Sequence, residues 1–278
     1  MSTISLTASM RSNLLSLQNT QSLMDLTQER LSTGKKVNSA IDNPSSYYTA
    51  QSLNNRASDL SALLDSMGQA VQTIKAADEG IQTITTFAQQ AKAVAQSAAD
   101  SSDATERAAY LEQFNEILDQ IDAVAADSSY KGINLLGGAT NKLTVKFSEK
   151  TASASKLDIT GVDATTASTG LNIADAADWT ADATGDTNIN NSITAIEGAI
   201  SKLRNWSSEF GNNYSIVQSR EEFTENLINV LTEGADKLTL ADMNEESANM
   251  LALQTRQQLA INSLSLASQA SQSVLKLF

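Results

Sequence analysis

The sequence predicts a mainly α protein: a long antiparallel helical bundle or coiled coil built from N- and C-terminal helices, with a small β-hairpin and an irregular middle segment. Three observations carry that prediction. Apolar residues recur at alternating three- and four-residue steps over long stretches at both ends, the spacing that gathers them on one helix face. Of 278 residues one is proline and 13 are aromatic (two Trp, five Tyr, six Phe), while Ala and Leu supply most of the hydrophobic 41%, which favours helix over sheet sandwich. Two-residue alternation is confined to one short central stretch.

The first predicted helix covers roughly the first 33 residues, with Met10, Leu17, Met24 and Leu31 seven apart and Leu14 joining their seam. Gly34 followed by Lys35 and Lys36 stops it, because glycine accepts the left-handed cap and cations suit the negative end of the helix dipole. A second helix starts at Asp42-Asn43-Pro44, where a capping side chain precedes a proline whose missing N–H costs nothing in a first turn. Its stripe runs through Leu53, Leu60, Leu64, Met67, Val71 and Ile74, shifts phase across Asp78-Glu79-Gly80, and resumes with Ile81, Ile84, Ala88, Ala91, Ala95 and Ala98. Such a helix would be roughly 80 Å long, several times the usual length.

Asp103 and Glu106 have capping-box spacing and open a third helix lined by Leu111, Phe114, Leu118 and Ile121. Ser129 to Thr140 breaks the pattern, and Leu143, Val145 and Phe147 then alternate with polar neighbours as a strand whose partner lies near Leu157 to Ile159. Residues 151–200 hold seven acidic side chains against one lysine, a net of 1 − 7 = −6, so the excess acidity of the chain is concentrated there. Helical spacing returns at Ile189, Ile193, Ile196, Ile200 and Leu203, and after Gly211 at Val217, Phe223, Leu227 and Val230, with an interruption at Gly234. Asp242 caps a last helix whose seam is Met250, Leu253, Ala260, Leu264, Ala267 and Val274, ending in Leu277 and Phe278.

Composition also excludes functions. With no histidine and no cysteine, the chain has no imidazole to move protons near neutral pH, no thiolate nucleophile and none of the usual zinc, haem or iron–sulfur ligands. No cofactor or metal is expected. The formal charge of 19 − 32 = −13 argues against nucleic acid or an anionic membrane as partner. No apolar run reaches 18 residues, and the N-terminal residues lack the basic and apolar regions of a secretory signal peptide. Asp186, Asn188, Asn190 and Glu197 have a partial calcium-loop spacing, with Asn191 where glycine is expected, and are read as a solvated loop entering a helix. Adjacent pairs such as Glu221-Glu222 and Glu245-Glu246 point to different helix faces and form no acid–base dyad.

The two ends need partners, since a lone helix with a narrow apolar seam is marginal in water. If the N- and C-terminal helices pair, Leu15, Leu23, Leu26, Leu251, Leu259, Ile261 and Leu266 remain off the seam and face outward, which calls for further helices from identical subunits. Both ends are nearly neutral, with five basic and four acidic residues in 1–60 and two against three in 239–278, so copies can pack without accumulating repulsion.

The residues that carry a resemblance are now in view. LSTGKKVNSAIDNPSSYYTAQSLNNR (Leu31 to Arg56), SYKGINLL (Ser129 to Leu136) and ADMNEESANMLALQTRQQLAINSLSLASQA (Ala241 to Ala270) resemble the N-terminal signature, central turn and C-terminal helix of the bacterial flagellins. The resemblance implies a short flagellin with a minimal outer domain: a non-enzymatic structural subunit that self-assembles into the helical propeller of the extracellular flagellum. It implies an inner-tube helix over 1–40, outer-tube segments over 41–148 and 189–238, a variable acidic surface segment over 149–188, and a second inner-tube helix over 239–278. Terminal segments disordered before assembly and export of the unfolded chain without a cleaved signal peptide also follow from it. So do an export chaperone at the C-terminal helix and contacts with hook-associated and filament-cap proteins. A hook–filament junction protein is the alternative within this architecture; a secreted enzyme on a helical scaffold is disfavoured by the missing histidine and cysteine. Phe87 to Ser97 resembles the stretch through which many flagellins engage a Toll-like receptor, with Gln89 in place of its central arginine and Ala93 in place of a leucine, which implies weak or absent activation.

Overall fold

The computed structural model describes residues 8–149 and 155–275. In chain order these form α1 (Ala8–Thr33), α2 (Pro44–Asp100), α3 (Ala104–Asp127), β1 (Ser129–Tyr130), β2 (Ile133–Asn134), β3 (Lys142–Lys146), β4 (Lys156–Thr160), α4 (Ala183–Thr239) and α5 (Met243–Leu275). The chain divides into two compact units, one of Met1–Arg56 with Val230–Phe278 and one of Ala57–Asn229, and α2 and α4 each contribute residues to both.

In the Ala57–Asn229 unit α2 buries one unbroken ladder: Met67, Ala70, Ile74, Ala77, Ile81, Ile84, Ala88, Ala91, Ala95 and Ala98. The expected phase shift at Gly80 is absent, because the small Ala70 and Ala77 hold the positions that keep three-four steps continuous. Gly80 is buried for another reason: a Cβ there would sit 2.6 Å from Leu136 Cδ1 and 2.9 Å from Ser128 Cβ, so only glycine lets the end of α3 and the following turn approach the helix. Phe114, Leu118, Ile121 and Ala125 of α3 close on the same core.

Asp103 caps α3, its Oδ1 accepting from Thr105 N at 2.7 Å. The reciprocal half of the capping box is not made: Glu106 Oε2 accepts from Ser101 Oγ at 2.7 Å, and Ser101 Oγ in turn receives Asp103 N at 3.2 Å. The chain then makes two antiparallel pairs. β1 and β2 join through Lys131 and Gly132, and β3 pairs with β4 so that Leu143 faces Ile159 and Val145 faces Leu157, the hairpin expected from alternation. Leu143, Val145 and Ile159 are buried.

Residues 161–182 differ from expectation. They carry no regular structure, yet they line the core rather than facing solvent: Ala164, Leu171, Ile173, Ala176 and Trp179 are buried. Side chains on α3 tie down the irregular backbone. Asn115 takes a hydrogen bond from Ala176 N at 2.8 Å and donates one to Ala176 O at 3.1 Å, and Asp122 accepts from both Thr166 N and Thr166 Oγ1. Buried Arg107 donates to Ser101 O and Thr180 O and pairs with Asp186 at 2.7 Å. The acidic side chains project from this lining, and Asp175, Asp178 and Asp182 are exposed.

Asp182 starts α4 earlier than the apolar spacing predicts, its Oδ1 accepting from Thr184 N and Gly185 N. Asp186, Asn188, Asn190 and Glu197 therefore lie in helix, not in a cation-binding loop. Gly234 does not interrupt α4 either. In the second half of the helix the phase differs from the predicted one: Phe223 and Val230 are 56% and 63% exposed, and the buried positions are Val217 and Thr224 in one unit and Leu231 and Ala235 in the other. Thr224 is accommodated because its hydroxyl donates to Arg220 O at 2.8 Å, leaving the methyl group to pack.

The unit of the chain ends is an antiparallel pair of α1 and α5, joined at one end by the terminus of α4 and the start of α2. Gly34, at φ +70°, ends α1 and returns its N–H to Arg30 O at 2.8 Å. A backbone bridge between Lys35 and Leu240 follows, flanked by Lys36 N to Thr239 O and Ala241 N to Gly34 O. Asn43 Oδ1 accepts from Ser46 N at the start of α2, and Asp242 Oδ1 from Asn244 N at the start of α5.

Candidate functional site

The α1–α5 pair is the part of the molecule where buried and exposed side chains stand in an unusual relation. Its seam repeats every seven residues on both helices. On α1 it comprises Met10, Asn13, Leu17, Thr20, Met24, Thr27 and Leu31, with Met10, Thr20 and Thr27 the most buried. On α5 it comprises Glu246, Met250, Leu253, Gln257, Ala260, Leu264 and Ala267, all buried or half-buried. Leu14 is 38% exposed and lies beside the seam; its place is taken by Asn13. The side chain of Val274 and the whole of Leu277 and Phe278 lie outside the described residues.

Polar contacts cross the seam at three levels. Arg30 NH1 lies 2.9 Å from Glu246 Oε1, Gln257 Nε2 donates to Gln21 Oε1 at 2.7 Å, and Asn13 Nδ2 donates to Ser263 Oγ at 3.5 Å. Sequence reasoning passed over Asn13, Thr20, Thr27, Glu246 and Gln257 because it followed apolar residues; the seven-residue interval itself, read without regard to polarity, would have found them. Thr20 shows why a polar residue fits: its hydroxyl donates to Ser16 O at 2.8 Å within its own helix.

The larger apolar side chains point away from the seam. Leu15, Leu23, Leu26, Leu251, Leu259, Ile261 and Leu266 are between 38% and 67% exposed, so the outward faces of this pair carry more leucine than the face between the helices. At its closed end, Ile41 is 93% exposed on a loop that Asp42 holds rigid: Oδ2 accepts from Ser39 N, Asn38 N and Ser39 Oγ. The Ser39 and Asn38 amides hold the Asp42 carboxyl below its ordinary pKa.

In the other unit the residues named for outer-tube packing fall on the core. Leu60, Met67, Val71, Ile74, Ile81, Ile84, Phe114, Leu118, Ile121, Ile196, Ile200 and Leu203 are buried; Leu64, Leu111 and Ile193 are half-buried, as is Leu53 of the chain-end unit. Gln89 and Ala93 are exposed on α2, beside Lys92, which pairs with Glu197 at 2.6 Å. A shallow cleft of about 310 Å³ lies between Lys75, Asp78, Ser207, Phe210, Gly211 and Tyr214, with the Lys75 ammonium 5.6 Å from the Tyr214 ring. Ser207 Oγ donates to Asp78 at its edge. Among the described residues no cluster of acidic side chains is arranged to hold a metal ion, and no helix is long and apolar enough to cross a membrane.

Comparison with known proteins gives this geometry a family. Residues 2–141 match the model of the bacterial flagellin N-terminal helical region, and residues 193–278 that of the bacterial flagellin C-terminal helical region. Flagellin FljK of Caulobacter vibrioides is 32% identical over 95% of this chain and 94% of its own, and a flagellin of Brucella melitensis is 30% identical over 95% of each. A crystal structure of Bacillus cereus flagellin aligns with 57% of this chain and 88% of its own at a TM-score of 0.46 and 15% identity. Both family models and relatives matched nearly end to end place the chain in the bacterial flagellin family, structural proteins that polymerise into the flagellar filament outside the cell.

Proposed function

We propose that this chain builds its filament through the outward faces of α1 and α5, which form the inner tube, while 41–148 and 189–238 form the outer tube, whose surface carries the acidic side chains that project from 161–182. The observation that supports this most directly is the row of exposed leucines on a helix pair whose own seam is partly polar. An antiparallel pair held only by that seam is marginal in water, and covering its outer leucines with other copies of the same helices removes far more apolar surface. The polymer then works as a propeller that transmits torque in swimming.

The same faces account for the other partners. A helix with Leu251, Leu259, Ile261 and Leu266 exposed needs cover before assembly, a role for an export chaperone at the C-terminal helix. Passage as an unfolded chain suits a sequence with no cysteine to cross-link and a single proline to isomerise. Hook-associated and filament-cap proteins would meet the terminal faces at the two ends of the polymer.

Seeded polymerisation of purified monomer, viewed by electron microscopy beside a truncation lacking residues 250–278, tests the reading. Long tubes from the intact chain and none from the truncation are expected. Growth limited to one layer at seed ends would instead indicate a hook–filament junction protein, and inert monomers from both chains would remove the terminal helices from the polymer core.

A further inference from the structure

We propose that the lysine face of the β3–β4 hairpin in one copy of the chain docks on a row of carboxylates along α3 of a second copy. This rests on the chain forming a polymer, and not on the role given above to α1 and α5.

The charge of the molecule is unevenly placed. Residues 57–229 carry 11 basic and 24 acidic side chains, 11 − 24 = −13, which is the whole formal charge of the chain. Copies of this unit packed side by side repel one another unless some contact sets opposite charges together. One stretch has the other sign. Ser129 to Thr160 holds five lysines against Glu149 and Asp158, 5 − 2 = +3.

The hairpin puts that charge on its outer face. Leu143 and Val145 are buried, so Lys142, Thr144 and Lys146 point out, and the register sets Lys156 opposite Lys146 and Asp158 opposite Thr144. Asp158 pairs with both Lys142, at 3.1 Å, and Lys156, at 2.8 Å. Lys146 is exposed and has no ion pair among the described residues. Lysines directly opposite each other on a sheet face destabilise it when nothing covers them.

The exposed face of α3 shows the converse. Glu112, Glu116 and Asp119 stand four and three residues apart on one side of the helix, and all are exposed. Among the described residues none of the three has a hydrogen bond or an ion pair. Like charges at those spacings weaken a helix. The one basic residue of α3, Arg107, is buried and pairs with Asp186. Glu116 and Asp119 line a groove of about 400 Å³ between α2 and α3, together with half-buried Phe87 and Ile117 and with no basic side chain. Such a groove suits a lysine, whose stem lies on apolar surface while its ammonium reaches the carboxylates. The two rows match in length: the carboxylates span about 10 Å along the helix and Lys142 to Lys146 about 13 Å along the strand. Several other carboxylates of the unit are already engaged, Glu197 with Lys92, and Asp163 and Asp182 with neighbouring hydroxyl and amide donors. Hairpin and α3 are different surfaces, so the contact is head-to-tail and can repeat from copy to copy.

Two full-length variants test it: Lys142→Glu with Lys146→Glu, which leaves Asp158 its partner Lys156, and Glu116→Lys with Asp119→Lys. Sedimentation over a series of chain concentrations reads the critical concentration for polymerisation, and circular dichroism of the monomers checks that helix content is kept. Each double variant alone is expected to raise the critical concentration at least about tenfold, because like charges then face each other. The chain carrying all four substitutions should return to within about threefold of the parent. An equimolar mixture of the two double variants should polymerise as well, since alternating copies set opposite charges together at every contact, and this places the contact between chains. Unchanged critical concentrations in both double variants, or no recovery in the four-substitution chain or the mixture, overturns the proposal. A parent chain that fails to polymerise removes the assembly reading and this contact with it; a parent that polymerises beside two indifferent double variants removes this contact alone.

Discussion

The rings of Phe114 and Trp179 meet with centroids 5.0 Å apart and planes inclined by 58°. One lies on α3, the other in the irregular segment before α4, and both are buried, at 0% and 3% exposed. The contact makes the middle of the chain part of the core. Trp179→Ala should therefore destabilise the monomer by about 3–5 kcal/mol, the range for removing a buried indole. Because Trp179 Nε1 is buried with no hydrogen-bond partner, Trp179→Phe gives up little beyond volume and should cost less than about 1.5 kcal/mol. Urea unfolding followed by circular dichroism separates the two; equal, small losses would mean that the segment does not pack as described.

Gly80 gives a prediction of opposite kind, since the obstacle is too much volume. Gly80→Ala raises helix propensity by roughly 1 kcal/mol, yet drives its new methyl group into Ser128 and Leu136. Ser128 is held where it is by its hydroxyl bond to Val124 O at 2.7 Å and by the C-cap of α3. Overpacking should win, with a net loss of about 1–3 kcal/mol in unfolding free energy, read from denaturant titration. Gly80→Ala combined with Ser128→Ala should recover part of it; a stabilised single variant would show that propensity dominates.

What was legible in the sequence follows from which signals are local. Gly34, Asp42-Asn43-Pro44, Asp103 and Asp242 each mark a helix end through their own backbone preferences, and each stands at the end the spacing marks. The β3–β4 hairpin shows in two-residue alternation for the same reason. Positions decided by the partner surface did not show. Thr224 is buried and Phe223 exposed because the rotation of α4 is set by what it packs on, and hydropathy alone chose the wrong neighbour. The seam of α1 and α5 passed partly unseen through Asn13, Thr20, Thr27 and Gln257. The burial of 161–182 was invisible because an acidic, Ala- and Thr-rich segment reads as solvated when the apolar residues that anchor it are few and unevenly spaced.

Acid should loosen the β3–β4 hairpin before the helical core. Asp158 is held well below the ordinary carboxylate range by hydrogen bonds from Lys156, Thr144 and Lys142, with Lys156 the largest influence. A carboxylate whose folded pKa lies below its unfolded value of about 3.9 stabilises fully above that value, and the contribution disappears as pH falls through the folded pKa. Asp158→Asn should thus be less stable than the parent chain at neutral pH, with a difference that stays constant down to about pH 4 and narrows below it. Hydrogen exchange of the Val145 and Leu157 amides across that range reads the effect locally. A difference that widens on acidification would contradict the assignment.

Gln89 and Ala93, which the resemblance of Phe87 to Ser97 implies stand in place of an arginine and a leucine of receptor-activating flagellins, are both exposed on α2. An arginine fork offers bidentate and stacking contacts that a glutamine amide does not, and truncating a leucine to alanine removes the apolar anchor beside it. Purified monomer should therefore activate receptor-reporter cells weakly. Gln89→Arg together with Ala93→Leu should raise activation by at least about tenfold, since each restored contact of hot-spot type contributes roughly 1 kcal/mol or more. Stability should stay within about 0.5 kcal/mol, because neither side chain enters the core and Lys92–Glu197 is untouched. Strong activation by the unmodified chain would place recognition on other residues of α2, and no gain in the double variant would mean that the remaining differences across Phe87 to Ser97, such as Lys92, block binding by themselves.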